Sequence, residues 1–365
     1  MADKKDVLIN IMEDRKLDGL LITDGYNIHY LSGYSGHEGC MLITKEEAYI
    51  LTDSRYTEQL EKQAPDFKCV DIKGKSYSYR INELLGNGAV SLNRKPNIGF
   101  ENMHISYNQY DKFNQTFGDT VNLVKLDDTI NDLRAVKSDA ELEKLAMAEA
   151  LGDKAFHHII SFIREGMTEK EVALELEYTM KKLGADGLSF DTIVASGENS
   201  SMPHAAVSDK VIVRGDFITM DFGCIYEGYC SDMTRTVIMG DSVSDKQIEV
   251  YNTVLKAQTE ALKLVKPGVK CSDVDACARQ IIADAGYGDY FGHGLGHGVG
   301  LFIHEEPRFS PKCDKVLQQG VCITVEPGIY LPGKFGVRIE DMIAITDNGY
   351  KNLTTSPKEL IRIDV

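Results

Sequence analysis

Four carboxylates sit inside the most apolar stretches of this 365-residue chain, and that placement limits what it can fold into. Asp221 ends or interrupts the run VIVRGDFITMDFG, and Asp232 follows on the expected return strand of a hairpin through Glu227 and Gly228. Glu326 ends the apolar strand in VCITVEPGIY, and Glu340 is expected in the middle of a strand over VRIEDMIAIT. A carboxylate taken out of water is costly unless a partner or a cation compensates it. Taken singly, an Asx-turn at a strand end accounts for each aspartate, and an ion pair with Arg338 accounts for Glu340. Adjacent residues on a strand point to opposite faces, however, so Arg338 cannot simply neutralise Glu340 from beside it.

Taken together, four carboxylates converging in one pocket cannot all stay ionised without cations. Two divalent ions supply the four positive charges required. Oxygen-rich ligation with one imidazole suits Mn²⁺ and tolerates Co²⁺ or Zn²⁺. The expected arrangement is a pair of ions about 3.5 Å apart, bridged by carboxylates and by a water that becomes hydroxide.

Candidates for the imidazole lie in HGLGHGVGLFIHEE (293–306), which carries His293, His297 and His304. Two histidines four apart grip zinc only on a helix, and glycines at 294, 296, 298 and 300 forbid one. Each interior glycine costs a helix about 1 kcal/mol relative to alanine. Position 294 is also Gly where a zinc protease of the HExxH type needs its Glu, so that reading fails. As an extended segment, His293, Leu295, His297 and Val299 share a face. The glycines then let the backbone approach something bulky, such as a metal cluster or a substrate. Spacing alone leaves open which of the three histidines binds metal. His204, in the loop SGENSSMPHAAVSDK ahead of Asp221, is a further candidate, whereas His157 and His158 read as surface groups on a long helix.

Around these residues the chain reads as two domains, 1–130 and 131–365. The first alternates strand-like runs (18–23, 41–44, 48–52, 67–72, 97–101, 121–126) with amphipathic helices such as 54–63, an α/β pattern. Residues 138–163 then read as a long helix opened by a capping box from Ser138 to Glu141. Beyond it, REGMTEKEVALELE (164–177) and KPGVKCSDVDACAR (266–279) echo each other at an offset of 102 residues, with Gly184 and Gly286 closing both helices. Two such halves place their sheets side by side with a site between them.

A net charge of −16 argues against a nucleic-acid or anionic-membrane partner. The N-terminus has no apolar run suited to a signal peptide, and no later stretch suits a bilayer span. The eight cysteines form no C-x-x-C pair and read as reduced, so a cytoplasmic location is expected.

The segment H-G-L-G-H-G-V-G-L-F-I-H-E (293–305), with MDFG…SDMTRT, EPGIY, RIED and MPH…SDK in order, resembles the pita-bread metallopeptidases. The likeness is strongest to their proline-specific branch, aminopeptidase P and prolidase, and residues 1–130 resemble the creatinase/prolidase N-terminal domain. The resemblance implies an α+β fold: a C-terminal pita-bread domain with an internal pseudo-two-fold, plus a smaller α/β N-terminal domain. It implies metal ligation by Asp221, Asp232, His297, Glu326 and Glu340, with Asp232 and Glu340 bridging. Glu326 would take a proton from the nucleophilic water, and His204 and His304 would act on substrate and intermediate. His293 would border the pocket, and Arg338 and Tyr330 would support it from behind. The implied activity is removal of an N-terminal residue that precedes proline, by a metal-bridging hydroxide; a strict Xaa-Pro dipeptidase is the alternative. The latter needs a cation for the dipeptide's carboxylate, which the sequence alone does not identify. Phe302 and the loop GENSSMP (197–203) depart locally from the family pattern and bear on substrate preference. A metal-free binding module or creatinase-like hydrolase on this fold is disfavoured because all five ligand positions are filled. The family also implies a homodimer, with residues 25–37 a candidate for the contact.

Overall fold

A computed structural model describes residues 2–90 and 94–363. The chain divides into two compact units, Met1–Arg134 and Ala135–Val365. In the first unit, six strands form one mixed sheet. Its central strand Gly19–Ile22 pairs antiparallel with Cys40–Thr44 and parallel with Asn97–Phe100. Alternation sends Leu20 and Ile22 into one apolar cluster and Leu21 into the other, so both faces are covered and the strand is apolar throughout.

The second unit begins with the helix Asp139–Phe162, whose capping box joins Ser138 to Glu141. The faint sequence repeat is plain in its backbone. The helices Glu169–Lys182 and Cys271–Asp284 keep the 102-residue offset at both ends. Each is followed by a glycine in the left-handed region, Gly184 at φ 111° and Gly286 at φ 86°. The buried faces match as well: Val172, Leu176 and Met180 occupy one core cluster, and Val274, Ala278 and Ile282 the other.

Each helix accompanies an antiparallel run of strands. The first comprises Ile193–Ser196, Phe217–Phe222 and Met233–Met239. The second comprises Gly296–Gly298, Cys322–Val325 and Asp341–Ile345. Isolated bridges Thr168↔Val211 and Lys270↔Val316 tie the start of each helix to its half in the same way. Helices alternate with strands in the first unit, and with the mixed helix and sheet of the second they make the chain an α+β protein. Among the described residues, no helix is long and apolar enough to cross a membrane.

Candidate metal centre and active site

Local chain geometry puts each carboxylate at the end of a strand. Asp221 is the penultimate residue of Phe217–Phe222, opposite Thr234. Asp232 immediately precedes Met233–Met239, after a hairpin whose turn residues Glu227 and Gly228 have φ of 47° and 84°. Two consecutive left-handed residues suit the twist of a tight antiparallel connection. Glu326 follows Cys322–Val325, and its backbone N–H donates to the Leu295 carbonyl at 2.8 Å.

Glu340 differs from the expectation of a mid-strand position. It lies in the break between Phe335–Arg338 and Asp341–Ile345, which belong to different sheets. Val337, Ile339, Met342 and Ile343 are buried on both sides of the break, so the sequence stays apolar although the strand does not continue. The Glu340 N–H donates to the Thr234 carbonyl at 3.1 Å, and Thr234 Oγ1 donates to its carboxylate at 2.7 Å. Arg338 is paired with Asp221, not with Glu340.

All five expected ligands line one cavity of about 850 Å³, together with His204, His293, His304 and Arg338. His297 Nε2 lies 3.4 Å from Asp232 Oδ2 and 3.4 Å from Glu326 Oε1. Ligand atoms of Asp232, His297 and Glu340 all fall within 4.8 Å of one another. The His297 Nδ1 faces the Gly298 carbonyl at 3.1 Å. A carbonyl only accepts, so Nδ1 carries the proton and Nε2 presents a bare lone pair to the carboxylates.

The electrostatics call for cations. Asp232 is pushed well above the usual carboxylate range by burial first, then by Glu340, Asp221 and Glu326. Glu340 is raised likewise by burial, Glu326 and Asp221. Glu326 rises to about 8, chiefly through burial, with Arg338 opposing. Burial and the neighbouring His304 pull His297 down to about 3, which keeps its ring neutral. Asp221 Oδ1 is buried with no hydrogen-bond partner among the described residues. A buried orphan oxygen, mutually repelling carboxylates and an oriented imidazole fit divalent cations.

The histidines are not equivalent. His293 Nδ1 faces the Gly294 carbonyl at 2.8 Å, and Nε2 accepts from Tyr330 Oη at 3.0 Å. Tyr330 Oη in turn accepts from Arg338 Nη1 at 2.8 Å, and burial first, then Arg338, lowers His293 to about 4. Both nitrogens of His293 are thus engaged by the protein, and Tyr330 stands behind it. His204 and His304 are exposed at the cavity, and neither ring makes a hydrogen bond to the protein among the described residues. His304 packs edge-on to His297 with ring centres 4.5 Å apart, and Phe302 packs edge-on to it at 6.0 Å. Replacing Tyr330 with Phe leaves His293 Nε2 without its donor and is expected to cost about 1–3 kcal/mol of stability. Urea denaturation of the pair of proteins measures it.

The glycine-spaced segment also differs from expectation. Only Gly296–Gly298 is strand, with a register shift between His297 and Gly298. Leu295 packs in the apolar core and does not share the cavity with His297. The nearest obstacles to a side chain at 296 and 298 are the backbone carbonyls of Thr324 and Glu306, so neighbouring strands by themselves require these glycines.

Three contributors escaped the sequence reading. Thr234 and Thr324 brace Glu340 and Glu326, and Arg308 lines the cavity as a second cation. Alternation along Met233–Met239 gave a usable signal for Thr234, since a polar residue in a fully buried strand requires a partner. Arg308 gave none, because it sits in an ordinary polar stretch.

Residues 143–347 match the model of metallopeptidase family M24, and residues 5–136 match the creatinase/prolidase N-terminal domain. The chain belongs to metallopeptidase family M24 and is therefore a metallohydrolase. A protein of Pyrococcus furiosus named Xaa-Pro dipeptidase is 40% identical over 99% of this chain and 100% of its own. The structure of an Xaa-Pro dipeptidase from Bacillus anthracis is similar with a TM-score of 0.93 and 41% identity, covering 99% of both chains. That of an X-Pro aminopeptidase from Thermotoga maritima has a TM-score of 0.87 and 40% identity, covering 95% of this chain and 98% of the other.

Proposed function

We propose that this chain is a two-metal peptidase that cleaves Xaa-Pro dipeptides. The sequence alone favoured an aminopeptidase acting on longer peptides. Two things move the reading toward a dipeptidase: relatives bearing that name along their full length, and the place of Arg308. Arg308 lines the metal-side cavity, and its own partners are distant, Glu306 at 3.6 Å and the His304 carbonyl at 3.5 Å. A guanidinium so placed is available to hold a carboxylate in bidentate fashion. This is the cation that a dipeptidase needs, and it is the observation that carries the proposal.

Asp221, Asp232, His297, Glu326 and Glu340 would hold the ions, with Mn²⁺ the best match to an oxygen-rich set. Bound there, divalent cations acidify a water and polarise the scissile carbonyl. Glu326, whose carboxylate lies 3.4 Å from His297 Nε2 on the cavity wall, is placed to accept a proton from that water. His204 and His304, whose rings make no hydrogen bond among the described residues, face the cavity where the carbonyl oxygen and leaving nitrogen would lie. The nitrogen of an Xaa-Pro bond carries no N–H, so recognition must come from ring shape and from the chain ends, one of them at Arg308.

Offering Xaa-Pro and Xaa-Pro-Yaa peptides side by side tests the proposal. The dipeptide is expected to be cleaved faster, and Arg308→Gln to raise its KM by about 10- to 100-fold, equivalent to ~1.4–3 kcal/mol. A dipeptide with an amidated C-terminus should be insensitive to that substitution. Preferred cleavage of Xaa-Pro-Yaa would restore the aminopeptidase reading, which the Thermotoga maritima relative's name also supports.

A further inference from the structure

The Glu169 side chain takes no part in the chemistry described so far, yet it is fully buried at the first turn of Glu169–Lys182. Among the described residues, no cationic nitrogen forms an ion pair with it. The nearby Lys210 Nζ reaches Ser196 Oγ at 2.9 Å and Asp216 at 2.7 Å instead. Hydrogen-bond donors compensate the carboxylate. Oε1 accepts from Ser196 N at 2.7 Å, Ser196 Oγ at 2.9 Å and Asn199 Nδ2 at 3.1 Å. Oε2 accepts from Asn199 Nδ2 at 3.2 Å, Ser208 N at 3.2 Å and Ser208 Oγ at 2.5 Å. The N-terminal end of its own helix adds a favourable field.

What this carboxylate grips is one loop by both ends. Ser196 and Ser208 bracket residues 197–207, the segment that carries His204. Inside the loop, Ser200 Oγ accepts from Gly336 N at 2.8 Å and the Pro203 carbonyl accepts from Arg338 Nη1 at 3.1 Å. Among the described residues the His204 ring has no hydrogen bond, so its place over the metal-side cavity is set by the backbone of this loop. The other half solves the same problem with a buried ion pair. Glu305 accepts from Phe302 N at 3.2 Å and from Lys137 Nζ at 3.0 Å, beside His304.

We propose that Glu169 is a positioning residue for His204, closing the 197–207 loop so that the imidazole stands over the scissile bond. This rests on the reading that His204 acts on substrate. Misplacing a reacting group by about 1 Å costs on the order of 100-fold in rate, so the effect belongs in kcat.

The experiment is a double-mutant cycle on the metal-loaded enzyme with an Xaa-Pro dipeptide. Glu169→Gln keeps the shape but turns an amide N–H₂ toward donors. It is expected to lower kcat by about 10- to 100-fold, with KM within about threefold and metal content unchanged. In a His204→Gln background, Glu169→Gln should cost nothing further, whereas in a His304→Gln background it should keep its full effect. Equal losses in both backgrounds, or loss of metal, would make Glu169 merely structural and overturn the proposal. A fully active His204→Gln variant would instead overturn the role of His204, and is read from the single variant alone. If Glu169→Gln does not fold, Ser208→Ala removes the hydroxyl hydrogen bond to Glu169 Oε2 while keeping the backbone one, and takes its place in the cycle.

Discussion

Replacing Asp232 with Asn is expected to abolish peptidase activity while making the metal-free protein more stable. In the ion-free protein Asp232 is crowded by Glu340, Asp221 and Glu326 in a buried site, and its carboxyl is held far above the usual range. A carboxyl whose folded-state pKa is raised opposes folding wherever it must ionise, so its neutral isostere relieves that cost at neutral pH. The same change removes an oxygen charge from the donor set nearest His297. We expect kcat/KM to fall by at least about 10³-fold, equivalent to ~4 kcal/mol of transition-state stabilisation. Elemental analysis should show reduced metal content. Thermal melts of chelator-treated protein should place Asp232→Asn above the parent, and the addition of Mn²⁺ should reverse the order. An Asn variant that keeps full activity and full metal content would refute the assignment.

The second large effect is expected behind the site, at Arg235. It is among the largest fully buried side chains in the protein, and every direction of its guanidinium is used. Nε donates to the Pro357 carbonyl at 3.0 Å, and Nη2 donates to the Ser356 carbonyl at 2.7 Å and to Asp341 Oδ1 at 2.8 Å. Nη1 donates to the carbonyls of Thr234 and Glu340. Asp341 also accepts from Gln258, Asn352 and Lys358 at its other oxygen. Burial pushes the Asp341 carboxyl up, but Arg235 and Lys358 outweigh it and hold the group below its ordinary value. Replacing Arg235 with Met leaves a buried carboxylate short of one of its two close countercharges and takes a donor from four carbonyls, of which Thr234 keeps the Glu340 N–H. A loss of about 3–5 kcal/mol is expected, the cost of breaking a buried pair by removing one partner. Chemical denaturation measures it; a loss below about 1 kcal/mol would mean that Lys358 suffices for Asp341. Because Arg235 touches the backbone of Glu340 and Thr234, residual folded enzyme should also bind metal more weakly.

These two positions mark what could be read from the sequence and what could not. Aspartates and glutamates set in apolar runs stand out because burying them is costly, so Asp221, Asp232, Glu326 and Glu340 could be singled out from the residues, whereas His297 was picked from its neighbours only by the family resemblance; all five line one cavity. The strands of the first unit were legible because a sheet covered on both faces needs uninterrupted apolar runs. Glu340 was misplaced by the same rule, since residues before and after it are buried in two different sheets and no polar signal marks the change. The carbonyl that crowds Gly296 comes from Thr324, and the partners of Arg235 other than its neighbour Thr234 come from segments distant in sequence. Arg308 resembles any surface arginine until the cavity is seen. Local pattern reports what a residue costs to bury, whereas the choice of partner belongs to tertiary structure.

The repeat in the second unit also bears on inheritance. Its two helices start and stop in register, yet of their paired positions only Val172 and Val274 are the same residue. One copy brings Asp221 and Asp232 to the shared cavity, and the other brings His297, Glu326 and Glu340. A chimaera built from two first halves would offer four aspartates and no counterpart of His297, and a chimaera of two second halves would crowd four glutamates with two copies of His297. If these five residues hold the ions, neither copy offers the other's donors, and a complete site needs both halves in one chain.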